Sequence, residues 1–365
     1  MIAAGERTGI AAARTGAGSR RRFVSRVRRG VGKRFQRAAI ATVPVAARIR
    51  DRLRIRVLQP LLELALTRHW GTRSAERAVR HIAFDSVTEP AMRAAERRAV
   101  TIPASFAAEL TRRSAVAARC TQTLPDWWVN DKVRARSVAE RAGFPLPALY
   151  GENIPFSQID FSRPCVIKPP SAAGSNGVFI VRDSESIIDV KRRCRYDSLD
   201  ELRAAVDALR SRDIRRDGGW IVEEYIGSGE GIVPIDLKFY TFYGMVGLVL
   251  ALDRNAKVTR FCFRGRDGVL CHTGKYEGRA GYRPFGGCEI DEETFEAVEA
   301  LSAMVPAPFV RIDLLKGAER LYFGEFTPRP GGYHLFNKRT DRLLGDLFLD
   351  AEARLNADWI ASRWN

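Results

Sequence analysis

The sequence lacks any apolar run of about 18 residues, the length that a helix needs to cross a bilayer. It also lacks the apolar stretch of a secretory signal peptide after its first arginine cluster. We therefore expect no transmembrane helix and no secretion, and we expect the protein in the cytoplasm.

Cysteine and histidine are scarce and scattered. The six cysteines stand singly, no CxxC occurs, and the chain has four histidines. This spacing disfavours a zinc site or a disulfide framework, and single thiols suit a reducing compartment. His69 and His81 have no partner of a catalytic kind nearby in sequence, and we interpret them as structural.

Two common nucleotide-binding signatures are missing. The chain has no GxxxxGK[ST] motif, and no GxGxxG stands between a predicted strand and a predicted helix. The first absence excludes a P-loop, and the second leaves no dinucleotide-binding fingerprint.

Acidic residues are almost absent from the first 60 positions. Residues 1–60 hold 15 arginines and one lysine against Glu6 and Asp51, and so carry most of the net charge of +17. Residues 1–45 are predicted to be a basic disordered arm. Three roles are open for this arm: peripheral contact with an anionic membrane, an organelle transit peptide, or a solubilising tail. We favour contact with the membrane. Residues 49–66 add a basic amphipathic helix that either lies in a membrane interface or packs on the body.

The rest of the chain is close to neutral and has the pattern of a globular protein. Residues 46–125 are predicted to be a helical region, because apolar positions recur there at helical spacing. Residues 126–356 are predicted to form the main domain, with a smaller subdomain at about 164–226. Within it, we expect helix over 184–219 and a long glycine-rich loop over 264–288.

A strand–loop–strand unit is predicted in the smaller subdomain. PCVIKPP (164–170) predicts a buried strand that ends on Lys168, SAAGSNG (171–177) a loop of small residues, and VFIVRD (178–183) a return strand. Glycine and serine allow backbone N–H groups to approach phosphate oxygens closely. We interpret the unit as a lid over phosphates, and the alternative is an ordinary hairpin with a long turn.

A second hairpin is predicted over 308–336. Apolar residues alternate with charged or polar ones along 310–314 and again along 322–326. This period of two is typical of an antiparallel pair with one apolar face and one chemical face.

The length of the turn decides which side chains share the chemical face. A five-residue turn over 316–320 sets Asp313 opposite Phe323 and Arg311 opposite Glu325, with all four on one face, whereas a four-residue turn would move Glu325 away. Two carboxylates and a guanidinium on one face suit Mg²⁺ and a phosphoryl group. The alternative is a surface hairpin with a cross-strand ion pair.

The order of the short motifs resembles that of the ATP-grasp superfamily: NDK, VIKP with its small-residue loop, VEEYI, DLKFY, VRID and GEFTPRPGG. DLKFYTFYG, FVRIDLL and LYFGEFT most resemble its TupA-like branch, named for teichuronopeptide biosynthesis. The resemblance covers about residues 126–350. It implies an α+β ATP-grasp fold, in which two α+β subdomains clamp ATP, preceded here by a helical N-terminal region.

The resemblance also implies which residues bind ATP. The phosphates, the adenine and the ribose would be held by Lys132, Lys168, Ser171, Gly174, Ser175, Gly177, Glu223, Glu224, Tyr225, Ile226, Glu230 and Lys238. In that set, Glu230 resembles the acid that bonds the ribose hydroxyls, and the hinge backbone of 224–226 resembles the adenine site.

The catalytic and metal roles follow from the same resemblance. Asp313 and Glu325 resemble the Mg²⁺ ligands, with Thr327 where many members have an asparagine. Lys238 resembles the base that contacts the γ-phosphate, and Arg311 resembles the arginine that stabilises the transferring phosphoryl group.

The implied reaction joins a small-molecule or glycan carboxylate to an amine through an acyl-phosphate, with ATP and Mg²⁺, in the synthesis of a cell-surface polysaccharide or glycoconjugate. Arg329, His334, Lys338 and Arg339 are candidates for binding an anionic substrate, although His334 is more simply structural. One rival hypothesis is a kinase of the same fold that phosphorylates a hydroxyl. Another is a nucleic-acid-binding protein that uses the basic arm, which has no pattern of stacking aromatics.

Overall fold

The computed structural model describes residue 93 and residues 104–364 apart from 171–173, 210–218, 228–230 and 288. The chain divides into two compact units, Met1–Ile102 and Pro103–Asn365, and only the second is described below. The predicted arm and the segment 49–66 lie outside the described residues. Within the described residues, no helix combines the length and the apolar character that crossing a bilayer requires.

The helices of the second unit are α1 (Phe106–Ala117), α2 (Pro125–Trp128), α3 (Lys132–Arg141), α4 (Leu199–Asp207), α5 (Glu292–Ala303) and α6 (Lys338–Trp364). The strands are β1 (Leu149–Ile154), β2 (Cys165–Lys168), β3 (Phe179–Asp183), β4 (Ser186–Asp189), β5 (Cys194–Tyr196), β6 (Trp220–Glu224), β7 (Ile235–Thr241), β8 (Val246–Asp253), β9 (Thr259–Arg264), β10 (Tyr282–Pro284), β11 (Val310–Lys316) and β12 (Leu321–Thr327). Short 3₁₀ turns lie at Phe156–Gln158 and Tyr333–Leu335.

Two six-stranded sheets organise this unit. The lid sheet has the strand order β1-β6-β2-β3-β4-β5, and the main sheet has the order β10-β9-β8-β7-β11-β12. Neighbouring strands are antiparallel except β9 and β10, which run parallel. The fold is therefore α+β with two sheet-based subdomains, as the sequence predicts.

The lid sheet is built around the strand–loop–strand unit that the sequence predicts. Phe179, Ile187 and Trp220 meet in its core, together with Leu202 of α4. The helix expected over 184–219 is wrong for its first part, where β4 and β5 form instead. Pairing with β3 gives the backbone of β4 its hydrogen bonds and buries Ile187, so the tertiary context outweighs the local helical spacing.

One face of the main sheet buries a layer of apolar side chains. Leu237 and Phe239 of β7, with Ile312 and Leu314 of β11, pack against helices α3 and α5. Phe323 and Phe326 of β12 complete this layer. They stand three residues apart, and a β-bulge between them brings both side chains to the same side of the sheet.

The other face of the main sheet changes character along its strands. One half is covered by α1 and α6 through an aromatic cluster that includes Phe106, Tyr240, Phe242, Phe309, Phe336 and Phe348. The other half carries Asp236, Lys238, Arg311, Asp313 and Glu325, and we call it the charged half-face. Burial of large side chains on one half fixes the sheet and leaves the charged half-face for chemistry.

The α1–α6 pair is held by side-chain caps as well as by apolar contacts. The backbone N–H groups of Ala104 and Ala107, at the start of α1, donate to the carboxylates of Asp346 and Asp341, each at 2.9 Å. These bonds satisfy donors that the first turn of a helix otherwise leaves open. Residues 103–125, placed in the N-terminal region by the sequence, thus belong to the second unit.

The register of the β11–β12 hairpin differs from the predicted one. Lys316 pairs with Leu321, so the turn holds four residues, yet Asp313 pairs with Glu325. A bulge at Gly324 shifts the register between these two points and returns Glu325 to the face of Asp313 and Arg311. The predicted shared face of these three residues is confirmed. The predicted place of Phe323 on it is wrong, because Phe323 is buried in the apolar layer.

Candidate active site

A network of buried ions occupies the charged half-face. Lys238 Nζ lies 2.5 Å from Asp313 Oδ2 and 2.8 Å from Asp236 Oδ2. Arg311 donates from Nε to Asp313 Oδ1 at 2.5 Å and from Nη2 to Asp313 Oδ2 at 2.6 Å. Arg254 Nη1 donates to Asp236 Oδ2 at 2.9 Å. Three cations therefore share these two carboxylates, and Glu325 is the third carboxylate of the charged half-face.

Strand pairing brings these side chains together. Asp313 of β11 is the direct partner of Lys238 of β7, and Arg311 is the direct partner of Tyr240. Asp236 stands two residues before Lys238 and so lies on the same face. Burial alone would raise the pKa of Asp236, but Lys238 and Arg254 outweigh burial and hold it well below its usual range.

Glu325 and Thr327 stand at the edge of this network. Glu325 Oε1 is 4.0 Å from Arg311 Nη2, and the Glu325 side chain keeps 47% of its exposure where it faces the cleft. The protein walls around its carboxylate and the neighbouring charge of Asp313 raise its pKa nevertheless. The Thr327 hydroxyl accepts a hydrogen bond from Arg311 Nη2 at 3.0 Å.

The oxygen atoms here suit a divalent cation of the magnesium type. The carboxylates of Asp313 and Glu325 repel each other, and a cation bound between them would relieve that repulsion. Carboxylate oxygens are also the ligands that Mg²⁺ prefers. Among the described residues, no group of three or more His, Cys, Asp or Glu side chains could hold a metal ion. An ion at this place would therefore depend on two carboxylates and on oxygens of a bound ligand or water.

Charged residues of the lid sheet face the same cleft. Lys168 Nζ at the end of β2 is 2.5 Å from Glu223 Oε2 of β6, and Arg136 Nη1 of α3 is 3.6 Å from Glu223 Oε1. Lys132 Nζ donates to the carbonyls of Pro169 and Pro170 at 3.3 and 3.2 Å, and so touches the start of the lid loop.

Lys132 connects the two subdomains electrostatically. Burial, and then the charge of Lys168, lower its pKa, while Glu325 and Glu223 act in the opposite direction. The pKa of this one lysine thus depends on charges of α3, the lid sheet and β12. The structure brings the predicted phosphate lysines close to the charged half-face.

The lid loop has the backbone of an anion-binding turn in its described part. Gly174, Ser175 and Gly177 have φ of 65°, 61° and 71°. Successive N–H groups near such left-handed residues can converge on one anion. Ser171 lies outside the described residues.

The hinge after β6 borders a cavity of about 400 Å³. Its lining consists of Glu224, Tyr225, Ile226, Gly227, Ala318, Glu319, Arg320 and Tyr322. The Glu224 carboxylate accepts a hydrogen bond from the N–H of Ala148 at 2.9 Å, and the Tyr225 hydroxyl donates to the carbonyl of Ile232 at 2.6 Å. The backbone is also partly engaged, because the Glu224 N–H donates to the Ala148 carbonyl at 2.8 Å and the Gly227 carbonyl accepts from the Ala318 N–H at 3.1 Å. Glu230 lies outside the described residues.

A second cavity, of about 470 Å³, lies beside Leu237 on the apolar side of the main sheet. It is lined by the ends of α3 and α5 and by the β11–β12 turn. None of the predicted site residues borders it, so we place the chemistry in the cleft and not here.

Comparison with known sequences decides the family. The sequence model of the TupA-like ATP-grasp family matches residues 110–349. The chain belongs to the TupA-like ATP-grasp family. No curated protein matches this family member.

Several solved structures resemble the chain in fold. D-alanine–D-alanine ligase from Bacillus anthracis matches at 17% identity over 70% of this chain and 73% of its own, with a TM-score of 0.41. The same ligase complexed with ATP matches at 14% identity over 63% and 68%, with a TM-score of 0.39. The ATP-grasp ligase PsnB, complexed with a minimal precursor, matches at 15% identity over 68% and 71%, with a TM-score of 0.36.

Sequence reasoning missed several residues in and around the charged half-face of this TupA-like ATP-grasp protein. They are Asp236, Arg254, Tyr240 and Lys275, and Arg136 joins them on α3. Alternation along β7 could have indicated Asp236 and Tyr240, because both stand two residues from Lys238. Lys275 and Arg254 lie in loops, where no periodicity exists to indicate them.

The candidate substrate-binding residues lie beyond β12 in this family member. Arg329, His334, Lys338 and Arg339 are all exposed. Within the described residues, no ion pair engages the side chains of Arg329, Lys338 or Arg339. These three exposed cations remain candidates for binding an anionic group of a substrate.

Proposed function

We propose that this protein is an ATP-dependent ligase that joins a carboxylate to an amine through an acyl-phosphate and releases ADP and phosphate. The observation that carries the proposal is the charged half-face, where Arg311 and Lys238 converge on Asp313 with Glu325 beside them. Preorganised cations in a buried site stabilise charge that develops on a transferring phosphoryl group.

Each residue has a proposed task. Lys238 contacts the γ-phosphate, and Arg311 stabilises the transferring phosphoryl group and the acyl-phosphate. Lys132, Lys168 and the lid loop, with Ser171, Gly174, Ser175 and Gly177, hold the remaining phosphates. The hinge from Glu223 to Ile226 receives the adenine beside the cavity there, and Glu230 bonds the ribose.

Asp313 and Glu325 are the proposed holders of Mg²⁺, which when bound neutralises phosphate charge and polarises the phosphoryl oxygens. Thr327 is a weaker candidate ligand, because its hydroxyl oxygen already accepts a hydrogen bond from Arg311. Lys238 and Arg311 already neutralise the charge of Asp313, so the ion would stabilise the negative charge of Glu325 more than that of Asp313.

The proposed substrates are a small-molecule or glycan carboxylate and an amine in cell-surface polysaccharide or glycoconjugate synthesis. Exposed Arg329, Lys338 and Arg339 support an acidic group on one of them. The arginine-rich residues 1–60 support peripheral contact with an anionic membrane at its cytoplasmic side.

The test measures ADP release and amide formation with Mg²⁺, ATP and pools of acids and amines. We expect ADP release to depend on both an acid and an amine, and Glu325→Gln to weaken the apparent Mg²⁺ affinity by at least about tenfold. Glu296→Gln, on the exposed side of α5, is the matched control and should change neither quantity.

Two outcomes would overturn the proposal. Phosphate transfer to a hydroxyl compound, with no need for an amine, would make the protein a kinase. Unchanged Mg²⁺–ATP binding in both Glu325→Gln and Lys168→Ala would remove the assigned site.

A further inference from the structure

Lys275 is a buried lysine in the glycine-rich loop that connects β9 to β10. It keeps 1% of its exposure and belongs to the largest fully buried side chains of the described chain. Its Nζ lies 5.7 Å from the ring centre of Tyr240, 5.3 Å from that of Tyr276 and 5.1 Å from that of Phe336. Three aromatic faces thus surround one cation, an arrangement that attracts an ammonium group electrostatically.

The backbone is bent on both sides of Lys275 to place it there. Gly274 has φ of 79° and Tyr276 has φ of 72°. A left-handed tyrosine is strained, and such strain persists only where the surroundings impose it. Tyr276 is held by stacking on Tyr282, with ring centres 4.3 Å apart, and Glu277 Oε1 accepts from the N–H of Gly274 at 3.1 Å.

Lys275 joins two loops to the charged half-face. Its Nζ donates to the carbonyl of Gly331, after β12, at 2.8 Å and lies 3.1 Å from the Tyr240 hydroxyl. Arg311 is the direct cross-strand partner of Tyr240, so the two side chains lie side by side on the same face of the sheet. A continuous chain of contacts therefore runs from the glycine-rich loop through Lys275 and Tyr240 to Arg311.

The charges around Lys275 come from two strands. Burial, and then the cations Arg311 and Lys238, lower the pKa of Lys275 to about 7, while Asp313 acts in the opposite direction. The facing phenols of Tyr240 and Tyr276 are neutral near pH 7, because burial raises their pKa values. Lys275 therefore exchanges its proton close to neutral pH, and any anion that binds at Arg311 favours its charged form.

We propose that Lys275 is a positioning residue that fixes the glycine-rich loop and the Gly331 loop around Arg311, and that it becomes charged when a phosphoryl anion binds there. This inference rests on the proposed function, in which Arg311 and Lys238 bind phosphoryl groups. The proton comes from the solvent and forms an N–H bond with the lone pair of the Lys275 amine, and no bond between heavy atoms forms or breaks. The charged ammonium then holds Gly331 and Tyr240 more firmly, so the glycine-rich loop and the Gly331 loop are fixed more tightly around Arg311 when the phosphoryl anion binds.

The experiment is calorimetry of Mg²⁺ and a non-hydrolysable ATP analogue binding to the full chain at pH 7.5. Titrations in two buffers of different ionisation enthalpy give the number of protons taken up. If binding raises the pKa of Lys275 by about one unit, wild type takes up about half a proton more than Lys275→Met. Lys257→Met, an exposed lysine replaced in the same way, should match wild type.

Tyr240→Phe provides a second measurement that keeps the aromatic ring. It removes the hydroxyl between Lys275 and Arg311, so we expect kcat to fall by about tenfold while the analogue still binds. If the Lys275→Met variant fails to fold, Tyr240→Phe still tests the proposal.

Each outcome decides a different claim. Tight analogue binding with equal proton uptake in wild type and Lys275→Met, or an unchanged kcat in Tyr240→Phe, overturns the role of Lys275 and leaves the proposed ligase standing. Absence of analogue binding to wild type overturns the proposed function itself.

Discussion

At the scale of single residues, Asp236 is the anchor of the charged half-face. Its Oδ2 accepts from Lys238 and from Arg254, at 2.8 and 2.9 Å, although the residue keeps only 8% of its exposure. Removing one partner of a buried ion pair leaves the others uncompensated, which costs more than the pair itself contributes. Asp236 therefore fixes where the Lys238 ammonium stands when Asp313 binds another cation.

Asp236→Asn should lower the free energy of unfolding at pH 7 by about 3 kcal/mol, because Arg254 loses its carboxylate partner and Lys238 keeps only Asp313. The wild-type carboxyl has a depressed pKa, so its contribution is present above the usual aspartate pKa of about 4 and is lost as the pH falls below it. Urea denaturation between pH 2 and pH 7 should show a shallower acid limb for the variant.

Asp197→Asn is the control for this measurement. Asp197 also pairs with an arginine, but its side chain is 75% exposed, and such pairs contribute at most about 1 kcal/mol. An acid limb equally steep in Asp236→Asn and wild type would contradict the assignment of the buried charge.

At the scale of secondary-structure elements, the turn between β4 and β5 links the two sheets. Arg193 has φ of 56° in this turn, and its guanidinium donates to the carbonyl of Lys257 at 3.2 Å and to the hydroxyl of Thr259 on β9. The far edge of the lid sheet is thereby tied to the main sheet. Arg195, two residues on, bonds to Asp197 and to the carbonyl of Glu185, and within the described part of the chain it has no bond to the main sheet.

Arg193→Gln should loosen the lid and weaken binding of Mg²⁺–ATP by about fivefold, since each lost hydrogen bond to a neutral group is worth about 1 kcal/mol or less. Looser closure should also release more phosphate without amide, because water reaches the acyl-phosphate. Phosphate and amide are measured together in one turnover assay.

Arg195→Gln tests whether the effect belongs to the link and not to lost surface charge. This variant should bind Mg²⁺–ATP as wild type does. Equal effects of the two substitutions would show that the contact between the sheets does not govern nucleotide binding.

At the scale of the whole molecule, the net positive charge is concentrated in the first 60 residues. Residues 1–60 carry 15 arginines, whereas the rest of the chain is close to neutral. The electrostatic attraction to anionic surfaces and the proposed chemistry therefore belong to different parts of the sequence.

Deletion of residues 1–60 should abolish binding to vesicles that contain anionic lipid, because each arginine near such a surface contributes about 1 kcal/mol. ATP turnover should stay within about twofold of the full chain. Sedimentation with anionic and neutral vesicles, at low and high salt, measures the first quantity.

Two results would go against this division. Loss of turnover in the shortened chain would place part of the site in residues 1–60. Salt-sensitive binding of nucleic acid, without binding to anionic vesicles, would support the rival hypothesis for the arm.

The sequence by itself determined most strands and the order of the chemical residues. Alternation over 310–314 and 322–326 is a local property, so it predicted the hairpin and the face of Arg311 and Asp313. The order of the motifs likewise indicated the fold, because each motif is a short segment that can be recognised in the sequence alone. The concentration of arginine at the N-terminus needs no structure to be seen.

Only the tertiary structure decided the register and the partners. The bulge at Gly324 depends on the fit of β12 to β11, and its effect on Glu325 is invisible in the turn length. The strands at 186–196 form because β3 offers an open edge, against their local helical spacing. Which cation meets which carboxylate, and how Lys275 reaches Tyr240 from a distant loop, depend on long-range packing that no local periodicity records.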